Sequence, residues 1–307
     1  FYEIFSKKRP DNKSCLIVCN TVQRSIDIFN KLKEKKIQPL YYLSTNIVPA
    51  FRLDIIQKIK NDLQENKNPV LVSTQVVEAG VDLDFDIGFR DLAPIDSIIQ
   101  VAGRINRENC KTKTLSPLYI IQFQNKNGDF ESSLVYDSLT REQVIKALQN
   151  IDEIPENQYL QLVDSYFSDI SSKTAFAEAR NFFNSMKTLK YDAENKNDCP
   201  VSSFKIIKES SWTISVFVEL NDEAVIAKEA YNKMLNKDFS KKEFDRKYKK
   251  IFNQYIIAIP KKFAGNLEEI NEYTENIKLV SNSFWNKFYD IETGFIRNTD
   301  INGAYIL

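Results

Sequence analysis

Histidine is absent from the 307 residues. That single absence removes imidazole general bases, Ser-His-Asp and Cys-His nucleophile systems, and histidine-ligated zinc or iron. Glycine is scarce, with seven in the chain, so a glycine standing at a turn is more informative than usual. The four cysteines, Cys15, Cys19, Cys110 and Cys199, contain no C-x-x-C pair and read as reduced, small apolar residues instead of metal ligands or disulfides. No G-x-x-x-x-G-K-[ST] loop and no D-E-x-[HD] box occurs. No apolar run approaches the roughly 20 residues needed to cross a bilayer, and the amino terminus has neither an initiator methionine nor a signal-peptide pattern. These features predict a cytoplasmic chain without a membrane segment, and a piece of something longer. Lys plus Arg, 42, equals Asp plus Glu, 42, so any polyanion must be met by local basic patches and not by a global positive field.

What is present is enough for two domains with proper cores, at 43% hydrophobic and 27% charged residues. From Ser14 to about Phe123, short apolar runs alternate with helical periodicity, the pattern of βαβ units on a parallel sheet. CLIVC (15–19), PLYYL (39–43), PVLVST (69–74), 86–90 and LYIIQF (118–123) read as strands; 22–36, 50–63 and 95–107 read as helices. The right-handed crossover rule assembles them into a RecA-like lobe with a mainly parallel, doubly wound sheet. Helical patterns at 142–150 and 159–190 suggest a helical bridge. The polar stretch 192–200 is the best boundary, followed by a small α+β domain: a hairpin of FKIIK (204–208) and WTISVFVEL (212–220), helices at 223–235 and 241–253, and the strand YIIAIP (255–260).

Chemistry concentrates in LVSTQVVEAGVDLDFDIGFRDLAPIDSIIQVAGRINR (71–107). Gln100, Gly103, Arg104 and Arg107 spell Q-x-x-G-R-x-x-R on a segment with helical periodicity, which places both arginines on one helical face, able to reach a single polyanion. That is the geometry of an arginine finger, which stabilises charge growing on a transferring phosphoryl group. Thr74 and Gln75 end a strand, where a hydroxyl and backbone amides can meet a nucleic-acid phosphate, and Gly80 permits close approach. A plain turn with Thr74 as an N-cap and Glu78 supporting it is the competing possibility. Asp82, Asp84 and Asp86 fail as a calcium loop, because Ile87 and Ala93 stand where glycine and glutamate are required. Metal ligands are therefore not expected, and Asp82 is placed near a nucleotide ribose or the arginines. Asn20 and Thr21 follow the first strand at its carboxyl end, where open α/β sheets bind ligands; they are candidate nucleic-acid contacts or, equally, a helix N-cap. KKEFDRKYKK (241–250) reads as a solvated helix with Phe244 and Tyr248 turned to a core, in preference to a basic patch that tracks a nucleic-acid strand.

STQVVEAGVDLDFD (73–86), QVAGRINR (100–107), YYLSTNIVPAFRLDIIQKI (41–59) and, more weakly, FKIIKESSWTISVFVEL (204–220) resemble the signature helicase-nuclease of type I CRISPR systems, a superfamily 2 helicase. The resemblance implies an inter-lobe linker at 1–14, the second RecA-like helicase domain at 15–150, a helical bridge at 151–199 and a carboxyl-terminal accessory domain at 200–307 that covers the DNA channel. It implies a 3′ to 5′ single-stranded DNA translocase using ATP and magnesium, recruited by an RNA-guided surveillance complex, with an HD nuclease domain that degrades the strand. By the family's pattern, Thr74 and its neighbour Gln75 face DNA, beside Asn20 and Thr21, whose place at a strand's carboxyl end makes them candidate DNA contacts. Gly80, Asp82 and Gly103 approach the nucleotide, and Gln100, Arg104 and Arg107 complete the ATP site. The phosphate-binding loop and the nuclease histidines belong to an amino-terminal lobe and an HD domain that this sequence lacks. The chain alone is therefore expected to hold no cofactor and to be inactive. The alternatives are a lobe of another superfamily 2 helicase and a non-catalytic nucleic-acid-binding or docking module.

Overall fold

A computed structural model describes residues 1–107, 116–125, 127–173, 177–193, 199–205, 212–271 and 274–297. It divides into two compact units, Phe1–Arg141 with Trp212–Leu307, and Glu142–Ser211.

In the first unit, α1 (Tyr2–Lys8) leads into β1 (Cys15–Val18), α2 (Val22–Glu34), β2 (Leu40–Leu43), α3 (Pro49–Gln64) and β3 (Val70–Ser73). A short 3-10 turn, Gln75–Val77, then precedes β4 (Ile87–Asp91), α4 (Ile95–Ala102) and β5 (Leu118–Ile121). The strands form one sheet in the order β2-β3-β1-β4-β5, every described pairing parallel. A sheet buried on both faces needs strands apolar at every position, and β1, β3 and β4 are buried throughout. Alternation then sorts the side chains by face. Cys15, Ile17, Val70, Val72 and Phe89 pack with Phe5 of α1 and with Ile28, Phe29 and Leu32 of α2. Leu16, Val18 and Leu71 pack with Ile59 of α3 and Val101 of α4 on the other face. This is the doubly wound lobe expected from the sequence, and the 1–14 segment read as a linker contains a helix whose Phe5 is buried in that core. Burial pushes the Cys15 and Cys19 thiols well above their usual range, so both stay protonated and unreactive.

The helix expected over 95–107 is shorter. α4 stops at Ala102, Gly103 caps it, and Ile105 turns back to bridge Phe85 through Phe85 N to Arg104 O at 2.9 Å and Asn106 N to Phe85 O at 2.8 Å. The apolar spacing that suggested continuation is satisfied instead by Ile105 entering the core beside Val101.

After α5 (Ser138–Leu148) come the helices of the second unit, α6 (Tyr159–Lys173) and α7 (Ala177–Lys187). The chain then returns to the first unit with β6 (Thr213–Val218), α8 (Asp222–Leu235), α9 (Lys241–Lys247), α10 (Lys249–Gln254) and β7 (Ile256–Pro260). β8 (Glu268–Asn271), β9 (Thr274–Val280), α11 (Trp285–Phe288), β10 (Tyr289–Asp290) and β11 (Gly294–Phe295) complete it. The sheet order β7-β6-β9-β8 is mixed, with β6 antiparallel to β7 and parallel to β9. The sequence placed β6 in a hairpin with FKIIK, but the 206–211 turn of that hairpin lies outside the described residues, as do Glu108 and Cys110. The single helix expected at 241–253 breaks at Tyr248 into α9 and α10; Phe244 is buried and Tyr248 partly buried against the accessory core, as the aromatic spacing suggested, and Phe252 is buried with them. Phe51 of α3 packs at the edge of both the lobe core and the accessory core. The β10–β11 hairpin clamps the loop after β2: Phe295 N donates to Asn46 O at 3.0 Å, and a Cβ on Gly294, at φ +84°, would fall 2.2 Å from that same oxygen. Among the described residues no helix is long and apolar enough to cross a membrane.

Candidate functional site

In a parallel sheet all carboxyl ends lie on one edge, so residues 20, 74 and 90–92, distant in sequence, meet there. Asn20 and Thr74 are buried at this edge. Asn20 is fully engaged: Nδ2 donates to Leu92 O at 2.7 Å, and the backbone N–H donates to Asp91 Oδ2 at 3.3 Å. Thr21 is the N-cap of α2, its hydroxyl accepting from Arg24 N at 3.2 Å and donating to Glu131 Oε2 at 3.2 Å. The cap reading of the 20–21 pair therefore has direct geometric support. Thr74 differs. It precedes the 3-10 turn without a side-chain cap hydrogen bond, and the support expected from Glu78 is absent because that carboxylate reaches Arg90, Nη2 to Oε1 at 2.8 Å. Gln75 Nε2 donates to Asn20 O at 3.0 Å, tying the turn to the end of β1.

Farther along the turn the surface opens. Gly80 is exposed at φ +74°, a left-handed conformation that favours glycine, with nothing within 4 Å of where a Cβ would sit. Asp82, also exposed, accepts from Arg107 Nη1 at 2.5 Å, and Lys60 lies 4.0 Å from its other oxygen. Asp84 Oδ1 accepts from Arg107 N at 2.8 Å. Arg104 is half-buried; its Nη2 donates to Glu78 O at 2.9 Å and its Nε to Val77 O at 3.3 Å. Burial lowers the Arg104 pKa, the neighbouring Arg107 charge lowers it further and Asp82 opposes them, so the three charges share one field.

The arginines thus converge, but not as two residues on one helical face. Both follow α4 in the turn after Gly103, and the 84–85 segment fixes them through backbone hydrogen bonds. Gln100 is exposed on the last turn of α4. Gly103 is exposed at φ −66°, and a Cβ there would meet ordinary contacts at 3.6 Å, so the backbone makes no demand for glycine. Asp86 is spent on structure: Oδ2 accepts from Ser14 N at 2.9 Å and Ser14 Oγ at 2.7 Å, and Lys13 lies 3.6 Å from Oδ1.

Sequence reasoning passed over the buried group beneath this rim. Arg90 is fully buried on β4 and bonds Glu78, Asn20, the Asp91 carbonyl and Tyr136. Burial holds the Glu78 carboxyl above its usual value and lifts Asp91 to about 6, although backbone N–H groups of Asn20 and Phe123 and the Arg90 charge oppose the latter shift. The one signal in the sequence was an arginine inside an apolar strand.

Two guanidiniums, a carboxylate and an open glycine thus lie along one turn, a set of groups that can meet an anion on one side. Among the described residues no three His, Cys, Asp or Glu side chains gather to hold a metal ion.

The parallel, doubly wound sheet of β1 to β5 defines the class, a RecA-like α/β lobe. Residues 11–110 match the family described as CRISPR-associated nuclease/helicase Cas3, C-terminal. Cas3 of Methanothermobacter thermautotrophicus is 30% identical over 140 residues, 46% of this chain and 16% of that protein. Cas3 of Haloferax volcanii is 52% identical over 54 residues, 17% of this chain and 6% of that protein. The matched regions therefore span less than a fifth of these relatives. T. fusca Cas3 shares the fold, with a TM-score of 0.60 at 18% identity, covering 91% of this chain and 37% of that one. T. fusca Cas3 has also been solved with AMPPNP, at a TM-score of 0.58, 18% identity and the same two coverages. Over the matched stretch, residues 11–110, the chain is similar to the C-terminal region of the Cas3 family.

Proposed function

We propose that this chain supplies the second helicase lobe and accessory domain of a CRISPR-associated, ATP-dependent translocase on single-stranded DNA. It would act in the cytoplasm with an RNA-guided surveillance complex, an amino-terminal helicase lobe and an HD nuclease domain. The observation that carries the reading is the turn where exposed Arg107 pairs with Asp82 and half-buried Arg104 holds the Glu78 carbonyl, inside the stretch that matches the Cas3 family. A surveillance-complex structure has the same fold over 96% of this chain and 42% of its own at 19% identity and a TM-score of 0.60, which supports the choice of partner. In this reading residues 1–14 join the lobes, 15–150 form the helicase domain, 151–199 the bridge and 200–307 the accessory domain.

The division of labour follows from the half-site. ATP with magnesium supplies the phosphoanhydride bond, and the other lobe holds its phosphates. Arg107 and Arg104 approach the γ-phosphate, Gln100 and Gly103 flank them, and Gly80 and Asp82 lie toward the ribose. Exposed pairs such as Asp82–Arg107 contribute about 0 to 1 kcal/mol, so a triphosphate can draw Arg107 away at little cost. Thr74 and Gln75, with Asn20 and Thr21 behind them, face the DNA backbone at the strand ends.

In the complete enzyme, Arg107→Ala should lower the rate of ATP hydrolysis by about 10³ to 10⁵ while leaving nucleotide affinity largely in place, because the arginine acts on charge that grows in the transition state. Arg104→Ala should be the milder loss, since that side chain also braces the 77–78 carbonyls. Steady-state turnover together with equilibrium binding of a fluorescent ATP analogue checks this. Wild-type turnover in both variants makes the arginines surface residues.

A further inference from the structure

Arg90 is an arginine inside an otherwise apolar strand, IGFRD, and none of its side chain reaches solvent. A buried guanidinium costs several kcal/mol unless it is paired and hydrogen-bonded, so its partners must be held in place as firmly as it is. Nη2 donates to Glu78 Oε1 at 2.8 Å and to the Tyr136 hydroxyl at 3.2 Å. Nη1 donates to Asn20 Oδ1 at 2.6 Å and to the Asp91 carbonyl at 3.0 Å, while Nε is buried with no hydrogen-bond partner among the described residues. The second oxygen of Glu78 accepts from Ser97 Oγ of α4 at 3.2 Å.

Glu78 therefore faces two ways. Its carboxylate is clamped by Arg90 and Ser97, and its backbone carbonyl, with that of Val77, holds the head of Arg104. At the opposite end of the same 3-10 turn, Gln75 binds the backbone carbonyl of Asn20, whose side chain is the other ligand of Arg90. Both ends of the turn thus return to one guanidinium. The fork has fixed geometry, and no water reaches it to replace a lost partner. A displacement of Asn20 or Gln75 must be followed at Glu78 or leave a buried charge unsatisfied.

We infer that Arg90 is a positioning residue that couples strand contact at Asn20, Thr74 and Gln75 to the placement of Arg104, acting through Glu78 and the Gln75–Val77 turn. The inference rests on the functional reading above, in which those two groups face DNA and nucleotide. Arg90 touches neither ligand. Its effect is on how far DNA accelerates hydrolysis.

The test uses the complete enzyme carrying Arg90→Met with Glu78→Gln, a neutral pair of similar volume that leaves no buried charge alone. Basal ATPase, ssDNA-stimulated ATPase, the DNA concentration giving half-stimulation and the thermal unfolding midpoint are measured. The expected result is a drop in the stimulation ratio of about tenfold, a coupling of about 1.4 kcal/mol, with basal rate and half-stimulating DNA concentration within about twofold of wild type. A merely structural role scales basal and stimulated rates equally, so an unchanged ratio overturns the inference. If the double variant does not fold, Ser97→Ala, which frees only the second Glu78 oxygen, should lower the ratio by about threefold, within the range by which mutations along a coupling route change it; an unchanged ratio there overturns it equally. Arg107→Ala assayed alongside separates the two claims. Lost turnover in Arg107→Ala with an unchanged stimulation ratio removes Arg90 from the account and keeps the site, whereas wild-type turnover in Arg107→Ala removes the site itself.

Discussion

The two sheets of the larger unit are built from similar apolar strands and have opposite consequences for chemistry. In the five-stranded sheet every described strand runs the same way, so the carboxyl ends of β1, β3 and β4 bring Asn20, Thr74, Arg90 and Asp91 to one edge. In the β7-β6-β9-β8 sheet, antiparallel pairings put strand beginnings next to strand ends. Its buried carboxylate, Glu219, is consumed locally by Lys228 at 2.6 Å and Asn282 N at 3.0 Å. Strand direction, more than composition, decides where polar groups collect. The parallel edge carries strain to match: a carboxylate displaced to about 6, a buried guanidinium with one idle nitrogen and a carboxylate raised by burial all lie within it.

If that edge is a place where stability is given up for polar convergence, its titration should show it. Asp91 has a folded value of about 6 against an ordinary aspartate value of about 3.9. The folded chain therefore binds the proton more tightly than the unfolded chain, and stability falls as pH rises from about 4 to about 6. A shift of about two units corresponds to about 3 kcal/mol. Asp91→Asn should remove this slope, so its stability relative to wild type should improve by up to about 3 kcal/mol between pH 4 and pH 7 in urea unfolding. Glu78 has a raised value too but is common to both proteins and cancels. An equal slope in both proteins would mean the edge carries no such burden.

A smaller effect separates two threonines on that edge. Thr21 caps α2 through its hydroxyl, and Thr21→Ala should cost about 0.5 to 2 kcal/mol. Thr74 makes no cap bond, so Thr74→Ala should cost less in thermal unfolding yet impair DNA-stimulated ATPase and translocation in the complete enzyme. Equal stability losses with normal translocation would reduce both to caps.

The lobe was legible because its parallel strands are short continuous apolar runs: CLIV and VLVS are buried throughout, and the edge strands LYYL and LYII keep the same apolar pattern although partly exposed. The accessory sheet was less so. β8 and the start of β9, EEIN and TEN, are polar enough to look like loop, and their pairing is supplied by neighbours distant in sequence. At the site, the sequence reading placed Asp82 near the nucleotide ribose or the arginines, and the Asp82 carboxylate does accept from Arg107. The backbone carrying the arginines was misread, because Ile105 keeps helical spacing while pairing with Phe85 outside any helix. Arg90 could not be found from spacing at all, since its partners stand at 20, 78, 91 and 136 and only the sheet brings them together.

The central claim is that this chain holds half of an ATP site, with the arginines on one lobe and the phosphates bound by another. Steady-state ATPase of the purified chain alone, with and without single-stranded DNA, tests it most directly. No turnover above buffer is predicted in either case, because two arginines, a carboxylate and a glycine can stabilise a transition state but cannot hold the triphosphate and its magnesium. DNA-stimulated hydrolysis that co-purifies with this chain and disappears in its Arg107→Ala variant would contradict the half-site account.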